Sequence, residues 1–554
     1  MTEPCSSSTL TPEDLAAKSA AYWAHLRRLK LQSGEWSFKK RSYLWEPMHE
    51  ASKAGGGAGG VQCLRQCFMK GTQLGFSEMH VIESLHGLRF KRYSRGVLYI
   101  FPTNDDVREF SKSRFSPLLI SNPSEIGQFV KETDTANLKR VGDAFLYLRG
   151  ATLSTQVDVD AKESTKLRSI PVDKIICDEL DLMDFSSARK AIERMAASEV
   201  QAESYISNPT IPDFGIATLF TKSDQRHWHR HCVCGGWTCA EEEFPNLVGV
   251  KDGKGYIACI KCGKPVPNEP GDWVPKERAN TEYMKGYQLS QLSSCTLDPY
   301  KILQAYQDPP DGNIADIIRL KLGKPYLAAQ DRITVQAILS CCCDQPQLDS
   351  HAGPAAMGVD VRPTYKNVVI GIRVGRERWR ILRVARIQTW SEIMQMAVRF
   401  HVRSAVVDIQ PDTDAAREFQ RAAVRFKVYL CDYSQTTPVG PVYNDNTGIL
   451  KVNRNEVCDA THRILTSGKM LELPANCPEV TQFARECASV AKAEVIDKRT
   501  KSSTFRYRTL DTGVRDDYRH ALNYWWLAAS GHKLAIADEN KTHRQTRAIN
   551  RFGV

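Results

Sequence analysis

The chain has 554 residues, of which 42% are hydrophobic and 25% charged. At about 150 residues per domain this length holds three or four domains, and the composition excludes wholesale disorder, collagen and a coiled coil. Lys plus Arg is 75 against 64 Asp plus Glu, a net +11 that permits a polyanionic partner without demanding one. Runs of about 18 uncharged apolar residues are missing, so no membrane-spanning helix is expected. The start MTEPCSSSTLTPEDL has no basic-then-apolar leader pattern, so a cytoplasm is the expected compartment. In such a chain 17 cysteines read as reduced thiols or metal ligands.

Taken in order, Thr11-Pro12-Glu13-Asp14 is a helix start, with a cap, a first-turn proline and early acids. Ser52 to Gly60 (SKAGGGAGG) is a glycine-rich surface loop. GVLYIF (96–101) and KIICDEL (174–180) read as buried strands, and FSSARKAIERMAASEV (185–200) as a helix. Such alternation predicts an α/β layered domain. Residues 226–275 break the pattern with Cys, His, Gly and Pro. A second strand-rich block begins at Ala356 with MGVDV, KNVVIGIRV, RWRILRVARI and SAVVDI, and helices follow to about 530. The tail from His532 is polar and leans basic.

Asp178 and Glu179 close a buried strand, the end at which open α/β sheets bind ligands. Asp178 suits Mg²⁺, and Glu179 suits activation of an attacking water. Upstream, Lys70, Gly71, Gly75 and Ser77 would form a phosphate-gripping loop. Glycines admit close backbone approach, and helix-terminal N–H groups face phosphate. Phe76 stands where such loops usually carry lysine.

Cys259-x-x-Cys262-Gly is a zinc knuckle, its turn bringing two thiolates to one tetrahedral ion. Cys234 is the expected third ligand, and the fourth is Cys232 or His231. Four such ligands close the site, which makes the zinc structural. Cys341-Cys342-Cys343 reads as a partly buried run. Asp360 lies within an apolar strand and Asp408 ends another. A carboxylate there is costly unless paired or metal-bound. With Asp516 and Asp517 at the start of an apolar helix, they point to an RNase H-like site. Asp412 and Asp414 read as helix caps.

Together these motifs resemble the large subunit of a tailed-phage terminase, the DNA-packaging motor, of the lambda-like branch. Lys70 to Ser77 fits its loop variant with the lysine in front. Trp45-Glu46-Pro47-Met48 resembles the segment before that loop, where Tyr43 or Trp45 would stack on adenine. Leu148 to Ala151 resembles the strand-turn before the Asp-Glu strand, and Ser207-Asn208-Pro209-Thr210 the coupling motif. Arg149 or Arg140 is the candidate arginine finger. Gly286 to Ser290 and Leu322 to Tyr326 resemble connector segments. The third nuclease acid is Asp517 first and Asp516 second, with His520 where relatives carry an acid.

The resemblance implies an N-terminal P-loop (ASCE-type) ATPase domain over 1–225 and a zinc-binding insert over 226–275. A connector over 276–349, an RNase H-like nuclease domain over 350–532 and a basic tail over 533–554 would follow. The implied cofactors are ATP with Mg²⁺, two Mg²⁺ or Mn²⁺ in the nuclease site, and one structural Zn²⁺. The implied partners are double-stranded DNA, the portal of a procapsid, a small terminase subunit and further copies of the chain in a ring; no membrane is involved. The expected place is the host cytoplasm. Two rival classes share parts of this set. One is a helicase-like or recombination nuclease; the other is a DNA-binding scaffold with a degenerate ATPase, raised by Phe76.

Overall fold

The computed structural model describes residues 10–32, 34–54, 64–151, 170–183, 191–310, 312–328, 332–375, 377–433, 440–496, 503–510 and 512–531. Most of the glycine-rich loop, the first part of the helix expected at 185–200 and the basic tail lie outside these residues. The chain divides into two units, Met1–Tyr326 and Leu327–Val554.

Unit one opens on the expected helix start. Thr11 caps Pro12–Lys18, its side chain accepting from the Asp14 N–H while Asp14 returns a bond to the Thr11 backbone, a reciprocal cap worth about 1 kcal/mol. The unit is built on one sheet of eleven strands. Its parallel core runs Lys285–Leu289, Leu64–Lys70, Ala202–Ser207, Lys174–Asp178, Val97–Phe101 and Ala144–Gly150. Leu138–Val141 and Val130–Asp134 continue antiparallel at one edge. At the other, Arg226–His231 pairs with Lys285–Leu289, Trp237–Cys239 and Gly271–Pro275. Central strands such as Lys174–Asp178 and Ala202–Ser207 are buried throughout, as parallel strands covered on both faces must be.

This register moves the boundary drawn from sequence. The expected break at 225 gives way to one at 326, because both ends of the Cys- and His-rich insert are strands of the same sheet. The connector expected over 276–349 is likewise divided. Its strand Lys285–Leu289 lies directly beside Leu64–Lys70, and the part from Leu327 falls in unit two.

Unit two holds an eight-stranded sheet. Ala355–Val361, Lys366–Arg373 and Trp379–Ile387 form an antiparallel meander. Val402–Asp408 then pairs parallel to the first of these strands, and Lys427–Tyr433 parallel to Val402–Asp408. The helix Asp517–Gly531 lies against the first two strands. Gly358 makes that approach possible, since a Cβ there would stand 2.1 Å from the Trp525 nitrogen and 2.2 Å from the Ala521 oxygen. Close packing of this helix brings its first residue, Asp517, over the strand that carries Asp360. Among the described residues, no helix is long and apolar enough to cross a membrane.

Candidate functional site

In unit one, Lys70 ends its strand and Phe76 begins the helix Phe76–Arg89. Between them Gln73 and Gly75 take φ of +60° and +88°, a left-handed path suited to glycine at 75. The loop has a floor built from distant chain. Gly71 N–H donates to Leu289 O and Thr72 N–H to Leu320 O, both at 2.8 Å. The Gln291 amide donates to Thr72 Oγ1 at 2.6 Å. A Cβ at Gly71 would lie 2.8 Å from Lys321 O, so this floor requires glycine.

Asp178 and Lys70 end the strands on either side of Ala202–Ser207, at the C-terminal edge of the sheet. Asp178 accepts from Tyr99 OH at 2.9 Å and from the Ser77 hydroxyl. Burial, then Glu179, pushes its carboxyl up, against the pull of Lys70, Ser77 and Tyr99. Glu179 is half-buried with φ +64°, a strained conformation for a non-glycine residue that clusters at functional sites. Asn208 joins the two sides of the site. Its amide donates to Lys70 O at 2.7 Å, and Lys70 Nζ donates to its Oδ1 at 3.4 Å.

Asp181, which the sequence reading passed over, clamps the same segment. It accepts from Thr210 N and Oγ1 at 2.8 Å and from Ile216 N at 2.7 Å, while Ser207 Oγ accepts from its N–H at 3.1 Å. The signal available was a second acid two residues after Glu179 in the same polar turn.

Tyr43 is corrected by the structure. It is 1% exposed, its OH donates to Leu74 O at 3.2 Å, and its ring faces Phe76 and Trp228. The expected adenine-stacking ring is therefore core packing behind the loop. Phe76 is also in the core, 5.1 Å from Phe68 between ring centroids, so only its backbone can meet a ligand. Trp45 packs edge-on against Tyr22 and Phe38. Arg149 donates to Asn137 O and Leu148 O, and Arg140 lies over the Phe145 ring.

In the insert, Cys232, Cys234, Cys259 and Cys262 bring their sulfurs within 4.8 Å of one another. Cys232 to Cys262 is 3.7 Å and Cys234 to Cys259 is 3.6 Å. A tetrahedron with metal–sulfur bonds of about 2.3 Å has edges of about 3.8 Å, so the four thiols fit one ion. Two turns shape the group: Gly235 N–H donates to Cys232 O, and Gly263 N–H to Cys259 O. Of the two candidates for fourth ligand, Cys232 stands in the group; His231 points to Asp272 instead, at 3.0 Å. His231 is the last residue of its strand, whereas Cys232 already belongs to the turn that Gly235 closes. Cys341 is buried with Cys342 and Cys343 half-buried, as expected of that run.

In unit two the acids converge. Asp360 is 2% exposed, and among the described residues its Oδ2 has no hydrogen-bond partner. Burial pushes its carboxyl well above the usual range; Arg362 opposes this, while Asp408, Asp517 and Asp516 add to it. Asp408 is half-buried, accepts from Gln410 N–H at 3.1 Å, and is also pushed up by burial. Asp517 is fully buried, accepting from Arg362 Nε and from Tyr365 OH at 2.8 Å each. Burial would raise Asp516, but His520, Thr509 and Arg454 hold it well below the carboxylate range. His520 lies 3.3 Å from Asp516. Among the described residues these carboxylates do not form a set with ligand atoms mutually within 4.8 Å; Arg362 reaches between them. Arg362, Tyr365 and Arg454 carried no sequence signal beyond their type. Asp412 caps the helix Thr413–Ala422, accepting from Ala415 N–H.

Loop, Asp-Glu strand end and bridging asparagine meet at the C-terminal edge of the parallel sheet of unit one, where such α/β domains take up ligands. Residues 31–273 match the model of the phage terminase large subunit gpA ATPase domain. That stretch is therefore similar to the ATP-hydrolysing domain of the phage terminase large subunits. Among solved structures, the large terminase of bacteriophage HK97 aligns at 9% identity over 94% of this chain and 100% of its own, with a TM-score of 0.52. The large terminase of a thermophilic bacteriophage aligns at 12% identity over 89% of this chain and 98% of its own, with a TM-score of 0.32. The ATPase domain of the Thermus phage P74-26 large terminase aligns at 14% over 48% and 89%, with a TM-score of 0.27. At such identities the HK97 likeness speaks for the fold, and the lower scores carry no argument. No curated protein matches the sequence.

Proposed function

We propose that the chain is a packaging motor with two chemistries: ATP-driven translocation of double-stranded viral DNA into a procapsid, and metal-dependent cutting of concatemeric DNA. The motor reading rests on one observation, that Lys70, Ser77, Asp178 and Asn208 form a connected polar edge beside the strained Glu179.

Lys70 and the loop N–H groups would grip the nucleotide phosphates. Ser77 and Asp178 would hold Mg²⁺, which shields phosphate charge as it builds. Glu179 would orient the attacking water. Asn208, bonded both ways to Lys70, would report loss of the terminal phosphate to the segment that Asp181 clamps. Phe76 has its ring in the core, away from the lysine's task, which supports a working ATPase over a degenerate one. DNA would be held through phosphates, as a motor blind to sequence requires.

In unit two, the meander followed by two parallel strands supports the reading of an RNase H-like nuclease domain. The buried Asp360 Oδ2, which has only the long 3.7 Å approach of Arg362, and the crowd of carboxylates around it suit cations. Asp360, Asp408 and Asp517 would hold two Mg²⁺ or Mn²⁺ ions, which supply an activated water and stabilise the leaving oxygen in phosphodiester cleavage. Asp516, committed to His520 and Thr509, would position His520 toward the scissile phosphate. The four cysteines would hold one structural Zn²⁺ that closes the insert's two turns. By the family's character the working form is a ring at the portal, aided by a small subunit, in the host cytoplasm.

Steady-state ATP turnover by the purified chain with linear DNA tests the motor. Turnover should be present and fall by roughly a hundredfold or more in Glu179→Gln. Unchanged turnover in that variant sinks the assignment.

A further inference from the structure

A second group of metal-ligand side chains stands near the four cysteines and shares none of them. His229, Cys239 and Glu242 place one ligand atom each within 4.8 Å of one another. The backbone explains why. His229 and Cys239 are directly opposed partners in the antiparallel pair of Arg226–His231 with Trp237–Cys239, which sets their side chains on one face. Glu242 follows Cys239 by three residues, in the helical turn Ala240–Glu243, and that spacing returns it to the same side. Cys239 is 3% exposed, His229 half-buried and Glu242 exposed, so the group has a closed floor and an open rim.

We infer that His229, Cys239 and Glu242 form a second metal site, built for a borderline divalent ion such as Zn²⁺. One imidazole, one thiolate and one carboxylate are zinc-type donors, whereas Mg²⁺ and Ca²⁺ take oxygen. Three protein ligands leave a fourth position facing solvent, unlike the four-cysteine group.

Its position gives the site a consequence. Glu241, beside Glu242, accepts from Ser290 N and Oγ at 2.8 and 2.7 Å. Ser290 is flanked by Leu289 and Gln291, which hold Gly71 and Thr72. An ion joining the hairpin to the turn 240–243 would therefore brace the floor of the phosphate loop.

The test is the metal content of the purified full chain, by mass spectrometry. About two zinc equivalents are expected. Cys239→Ser and His229→Gln should each remove about one, and Cys262→Ser the other. Folded Cys239→Ser and His229→Gln proteins that both keep the wild-type content overturn the site. Where those variants fail to fold, Glu242→Gln at the exposed rim replaces them. It should weaken zinc retention against a competing chelator by about tenfold, and unaltered retention overturns the site equally. The four-cysteine assignment is independent: its failure shows as full content in Cys262→Ser, whatever Cys239→Ser does.

Discussion

Both units put acids at the ends of buried parallel strands, yet they compensate the charge differently. In unit one, Asp178 sits among donors, with Tyr99, Ser77 and Lys70 around it, and Lys70 is itself tied to Asn208. In unit two, four carboxylates crowd together, and Arg362 spans three of them at 2.5 to 4.0 Å. Unit one thus meets its buried carboxylate with hydrogen-bond donors and one nearby lysine. Unit two instead gathers four carboxylates around Arg362, Arg454 and His520. Burial raises the cost of leaving any of them unpaired.

The strongest way to break this comparison is to cross the two activities. Asp360→Asn should abolish Mn²⁺-dependent cutting of linear DNA, by roughly a hundredfold or more, and leave ATP turnover near wild type. Loss of both would mean that the two sites are not separable, and loss of neither would remove Asp360 from the cutting site.

A smaller effect sharpens it. Arg362→Gln leaves Asp517 buried without the two guanidinium donors it had, and should cost the metal-free protein about 1–3 kcal/mol. In saturating Mn²⁺ the drop in melting midpoint should shrink, because ions take over the role of the guanidinium. An equal drop with and without Mn²⁺ refutes that exchange.

The smallest contrast is in pH. Burial, reinforced by Lys174, pushes His80 on the helix behind the phosphate loop down to about 3. A lowered histidine gives its full stability above its unfolded value of about 6.5, and loses it as pH falls from there toward 3. Asp360 has the opposite sign. Its raised carboxyl favours the fold in acid, and that contribution is lost as pH rises through its folded value. In melting series, His80→Gln should flatten the acid limb, and Asp360→Asn should flatten the decline on the alkaline side. A steeper acid limb in His80→Gln would reverse the first assignment.

What could be read in advance was local. A strand ending in Asp178-Glu179, a glycine loop opening a helix, Cys259-x-x-Cys262-Gly and Asp360 in an apolar run each fit within about ten residues, where spacing and burial cost speak directly. What stayed hidden was assembled across the chain. Asp181 acts on Thr210 and Ile216, Arg362 on Asp517, and Leu320 on Thr72. The break at 225 was misplaced for the same reason, since Arg226–His231 and Lys285–Leu289 become neighbours only in space. Tyr43 shows a different limit: an aromatic before a phosphate loop fits core packing as well as ligand stacking, and here it packs.

The floor under the phosphate loop has a consequence for how the chain is born. Gly71 leaves the ribosome roughly 220 residues before Leu289 and roughly 250 before Leu320, a long closure for a few hydrogen bonds. Until both have emerged, the Gly71 and Thr72 N–H groups lack these acceptors. The motif that names the nucleotide site is thus among the first parts of the unit to be made, and its working shape is among the last.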